Sequence, residues 1–122
     1  MTSINAQGSR LAVTRPSDTT AATAFTASVN TEVTRIVVCN TSGVASSFRL
    51  FHGASGDSYD EANALFWDHP VPANGTVDIY ADSANSGISM QPDEILGVRS
   101  GNANALTFSV YGVTAVIAGV VR

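Results

Sequence analysis

Four carboxylates and two histidines crowd the middle of the chain: His52, Asp57, Asp60, Glu61, Asp68 and His69. Carboxylates and imidazoles can ligate calcium, zinc or iron, and in pairs they move protons. The spacing here does not suit those tasks. A calcium loop sets its oxygen ligands at alternating positions around a central glycine, and Asp57-Ser58-Tyr59-Asp60-Glu61 does not. The histidines lack a third ligand at a metal-binding interval. His52 falls in step with Phe48 and Leu50, so it reads as a hydrogen-bonded, partly buried histidine. The segment around it reads as a solvated acidic loop, and neither metal nor cofactor is expected.

Nucleophiles fare no better. Cys39 lies in an apolar run without a cationic neighbour and reads as a buried structural thiol. As the lone cysteine it cannot form an intrachain disulfide. Ser55, in Ala54-Ser55-Gly56, lacks the strand-to-helix setting that exposes a catalytic serine. A chain with no lysine holds no Walker motif, and no Gly-x-Gly-x-x-Gly opens a helix. No enzymatic activity is expected. Trp67, Phe66, Tyr59 and Tyr80 could form a sugar-binding platform, but Leu65-Phe66-Trp67 reads as core packing.

The elements that carry these residues are short strands. Leu11 and Val13 form a first run, closed by Arg15-Pro16, where the missing N–H marks an edge strand or a strand end. Ala22–Ser28 is a second run, followed by a turn at Asn30-Thr31. Residues 32–39 alternate, with Thr34, Ile36 and Val38 on one face and Val33, Arg35, Val37 and Cys39 on the other. Residues 45–52 follow the turn formers Asn40-Thr41-Ser42-Gly43, and these two strands read as a hairpin. An apolar run at 64–67 ends at His69-Pro70. Residues 76–81 alternate again, 82–91 read as irregular, and strands follow at 94–100 and 106–112. About eight strands without an amphipathic helix predict an all-β fold: a single antiparallel β-sandwich, jelly-roll or Ig-like. The domain is expected over residues 10–113. Residues 1–9 are expected to be an extended N-terminal arm, and 114–122 a second arm or an edge strand.

At 122 residues and 44% hydrophobic content there is material for one core and no second domain. Only 13% of residues are charged, and all six cations are arginine. Arginine tolerates interfaces better than lysine, so the surface suits a protein whose sides face other proteins. A GC-rich coding sequence gives the same bias. A net charge of −4 with scattered arginines speaks against nucleic acid. No apolar run approaches the length of a membrane span, and no export signal opens the chain, so synthesis in the cytoplasm is expected.

Three stretches, RIVVCNTSGVASSFRLFHG, ALFWDHPVPANGTVDIY and LGVRSGNANALTFSVYGV, together resemble small β-sandwich virion proteins of tailed bacteriophages. The resemblance spans roughly Thr26 to Val113 and carries no catalytic or ligand-binding residues with it. It implies a structural protein of the virion, made in the host bacterium, above all a capsid decoration (cement) protein. Its expected partners are the major capsid protein and further copies of itself, as trimers. A neck, tail or fibre position and a receptor- or glycan-binding role are the alternatives. The expected contact residues are Arg10, Arg15 and Arg122, pairing with acidic partners, and the apolar Val113, Val116, Ile117, Val120 and Val121.

Overall fold

The computed structural model describes residues 8–79 and 87–115. Among the described residues nine strands follow one another: β1 (Ser9–Thr14), β2 (Ala22–Thr26), β3 (Thr31–Asn40), β4 (Ser46–Gly53), β5 (Ala64–Val71), β6 (Thr76–Ile79), β7 (Ile88–Met90), β8 (Ile95–Ser100) and β9 (Leu106–Thr114). A single 3₁₀ turn, Glu61–Asn63, precedes β5. Asp60 caps it, accepting from the Ala62 N–H, while Asn63 answers the Asp60 N–H. No helix among the described residues is long and apolar enough to cross a membrane.

All pairings are antiparallel and form two sheets. One runs β1-β9-β3-β6, with β7 also on β3, and the other runs β2-β8-β4-β5. β6 pairs with Ile36–Cys39 and β7 with Thr31–Val33, so the two lie end to end along one edge of β3. Counted as one interrupted edge, they leave eight strands nested about the β4–β5 hairpin. β3 pairs with β6/β7, β2 with β8 and β1 with β9. Such a long hairpin, rolled so that alternate pairs join opposite sheets, is a jelly roll rather than an Ig-like sandwich.

The core lies between the sheets. Val33, Ile36 and Val38 of β3 and Phe108 and Val110 of β9 face Phe48 and Leu50 of β4 and Leu96 and Val98 of β8. Phe48 meets Phe108 edge-on across the gap at 5.9 Å between ring centres. Each such ring removes well over 100 Å² of apolar surface from water, about 2–3 kcal/mol at the usual area coefficient.

Four local readings need correction. β3 and β4 do not form a hairpin; they lie in opposite sheets, and residues 41–45 arch between them. The buried Asn40 side chain holds that arch, donating to the Val44 and Val71 carbonyls and accepting from the Ser42 N–H and hydroxyl. Val33 joins the core with Ile36 and Val38, because an extra residue in β3 between Val33 and Arg35 shifts the alternation. β5 continues through His69-Pro70 to Val71, which Pro70 allows because β5 is an edge strand. The stretch read as irregular contains β7, whose Ile88 and Met90 are buried.

Candidate functional site

Of Leu65-Phe66-Trp67, read as core packing, only Phe66 packs against the core. Leu65 and Trp67 are each 43% exposed. Alternation along β5 turns them outward, and a bulge then adds Asp68 beside Trp67. Phe48 pairs with His69 while Leu50 pairs with Phe66, so β5 carries an extra residue here, and Asp68 takes it up in a left-handed conformation (φ 53°). His69 returns inward and packs on Phe48 and Phe66.

Arg49 of the neighbouring β4 reaches between the two outward residues. Its Nε and Nη2 donate to the Asp68 carboxylate at 2.7 and 3.1 Å, and its guanidinium lies 3.5 Å from the Trp67 ring centre. The fork-to-fork pair and the stacking arrangement are the two contacts arginine makes best. The hydrogen bond from Arg49 holds the Asp68 carboxyl below its ordinary range against the opposing effect of desolvation. The same bond raises Arg49. Arg99 stands 3.8 Å from Asp68 and donates to the Thr19 carbonyl.

Beneath this pair lies a second, smaller apolar cluster, outside the main core. Phe51 is fully buried on the outer face of its sheet, with Trp67 edge-on at 6.3 Å and Tyr59 tilted over it at 5.4 Å. Tyr59 lies directly on Gly97 of β8, where a Cβ would come within 2.6 Å of the ring. Its hydroxyl shares a 2.6 Å hydrogen bond with Thr23 of β2. The outer face of this sheet is therefore a packed platform whose accessible parts include Trp67, Leu65 and the Arg49–Asp68 pair. Alternation alone conceals it, because the bulge and the Tyr59 fold-back have no signature in sequence.

An open groove of about 520 Å³ lies at one end of the sandwich, lined among others by Glu32, His52, Ser89, Met90, Glu94 and Val113. His52 is hydrogen-bonded and partly buried, as the alternation suggests, with Nε2 2.8 Å from Glu94 Oε1. Hydrogen bonds from His52 and from the Gln91 N–H hold the Glu94 carboxyl below its ordinary range. Ser89 donates to Glu32 Oε1 at 2.6 Å. His52 and Glu94 are 42 positions apart, so only the fold could bring them together.

The expected contact residues are dispersed. Arg10 lies exposed on β1, opposite Tyr111. Arg15 is exposed, yet its terminal nitrogens donate within the chain, to Thr41, Thr107 and the Asn104 carbonyl. Val113 is half-buried in β9, paired with Glu32 at the groove. Val116, Ile117, Val120, Val121, Arg122, Tyr80 and residues 1–7 lie outside the described residues. In the acidic loop Asp57 accepts from the Ala54 N–H and Asp60 caps the 3₁₀ turn, so both serve the local backbone. Among the described residues no group of three or more His, Cys, Asp or Glu side chains could hold a metal ion. Compared with known proteins, the chain matches no protein-family model and no curated protein.

Proposed function

We propose that this chain is a non-enzymatic structural protein of a tailed-phage particle, a capsid decoration (cement) protein that bridges neighbouring subunits of the head shell. The observation that carries this reading is how the surface handles charge. Arg15, Arg35, Arg49 and Arg99 are all bonded within the chain, Arg35 to Asp78 through three contacts of 2.7–3.1 Å. Covering a cation that already has hydrogen-bond partners within the chain costs less than burying a free one. The outer face of the β1-β9-β3-β6 sheet adds short side chains, Val13, Val37, Cys39, Thr76, Thr107 and Ser109, which a neighbour can approach closely. In this role the major capsid protein is the partner, copies associate as trimers, and stability gained per copy is multiplied over a lattice.

Quantitative mass spectrometry of purified particles tests the reading. About one copy, or about one-third of a copy, per major capsid subunit fits a head-shell protein under lattice symmetry. A handful of copies moves the protein to the neck, tail or fibres, and absence from the particle refutes a virion role.

One observation favours a second reading. The chain's lone tryptophan is partly exposed, with the Arg49 guanidinium stacked on one face of its ring and Asp68 beside it, and a partly open ring with fixed polar groups suits a hydroxyl-rich ring such as a sugar. Binding of the isolated protein to host cells, lost in a folded Trp67→Ala variant, supports a glycan- or receptor-binding module.

A further inference from the structure

We propose that the groove at the end of the sandwich seats residues 116–122 of a second copy of this chain. The inference deepens the assembly reading, on which it rests for its setting, by naming a self-interface.

The groove combines an apolar floor with acidic walls. Met90 and Val113 supply the floor, and Glu32 and Glu94 the walls. Glu94 is committed to His52 and to the Gln91 N–H. Glu32 uses Oε1 for Ser89, and among the described residues its Oε2 accepts no hydrogen bond. An occupant matched to this lining is a short apolar segment carrying a cation.

The chain has such a segment at the groove's rim. Ala115 lines the groove, and its N–H is fixed to the Asn30 carbonyl at 2.8 Å. Beyond it stand seven residues, Val116-Ile117-Ala118-Gly119-Val120-Val121-Arg122: apolar side chains, one glycine and one guanidinium. The charges are complementary, Arg122 against Glu32.

A second copy is the better donor for a steric reason. β9 runs extended beside β3 as far as Ala115, which is bonded to Asn30, and the next two residues, Val116 and Ile117, are β-branched types that disfavour a turn back into the same copy's groove. The first turn former is Gly119, which leaves three residues to fill the space. From a neighbouring copy the whole segment can enter extended, spanning roughly 23 Å. Exchange of one segment per copy also closes naturally into a symmetric dimer or ring.

Sedimentation velocity of the full chain, from about 1 to about 200 µM, tests this beside four variants. A chain ending at Ala115 keeps every described residue and is expected to stay monomeric where the full chain associates. Arg122→Glu and Glu32→Arg are each expected to weaken association about tenfold, and the double exchange to restore it. A full chain that is monomeric throughout overturns the proposal, as does a shortened chain that associates like the full one, or a double exchange that recovers nothing. Co-sedimentation of the same chains with purified particles separates the two readings. Failure of the full chain to bind particles counts against decoration, whereas self-association unchanged by the deletion counts against the groove alone.

Discussion

Gly97→Ala is expected to unseat Tyr59. The added methyl would lie within 2.6 Å of the Tyr59 ring, inside any real carbon–carbon contact, and the ring rests on the sheet at that point. Relief requires the ring to lift. Lifting it loosens the 5.4 Å contact with Phe51 and breaks the 2.6 Å hydrogen bond to Thr23. An aromatic pair contributes about 1 kcal/mol beyond its area and a hydrogen bond of this kind about 1 kcal/mol. Phe51, now wetted, adds a further part of its burial. Alanine in a strand recovers about 0.5–1 kcal/mol over glycine by restricting the unfolded chain. The net loss is about 1–2 kcal/mol, a fall in Tm of roughly 4–8 °C for a chain of this size. Thermal unfolding followed by the single tryptophan, which sits edge-on to Phe51, reads the effect directly. The decisive comparison is the same substitution in a Tyr59→Ala background, where it should be neutral or slightly stabilising. If Gly97→Ala costs as much without the ring as with it, the steric account is wrong.

Three further outcomes follow from the packing and electrostatics. Asn40→Ala should destabilise by about 1–3 kcal/mol in urea titrations, because it takes the buried side-chain donor from the Val71 carbonyl, while the Val44 carbonyl keeps the Ser42 hydroxyl; a loss within error would show that the arch holds itself. Phe108→Ala should cost about 3–5 kcal/mol, since the ring is fully buried and bridges the sheets through Phe48; chemical denaturation with an unchanged m-value checks this. Glu94→Gln should cost about 1 kcal/mol at neutral pH. Because the folded Glu94 carboxyl titrates below its ordinary range, its contribution is present above the unfolded value and is lost as pH falls through the folded one. The difference between parent and variant should therefore vanish in acid, and a gap that persists there would exclude the ionised hydrogen bond as its source.

The strands of this fold are visible in the sequence because each exposes one face and buries the other. Alternation at 76–79, 95–100 and 106–110 carries straight through to the buried positions Leu96, Val98, Leu106, Phe108 and Val110. What alternation cannot carry is an inserted residue. The bulge in β3 moved Val33 to the core face, and the one in β5 put Trp67 and Asp68 side by side on the outside. Neither strand contains the glycine that often announces a bulge. Partner choice was equally hidden. Residues 31–40 and 46–53 are neighbours in sequence with a turn between them, but each offers a buried face to the other, so they stack instead of pairing. The groove had no local trace, since its lining comes from β3, β4, β7, β9 and the turn before β8.

The position of β9 has a consequence for how the chain is made. It lies between β1 and β3, so the last of the described strands to be synthesised is an interior one of its sheet. Until residues 106–114 emerge, β1 has no hydrogen-bonded partner and β3 keeps one long edge open. The β4–β5 hairpin can form early, but the sandwich cannot close around it. A prematurely terminated chain would thus expose unpaired apolar edges to chaperones and proteases.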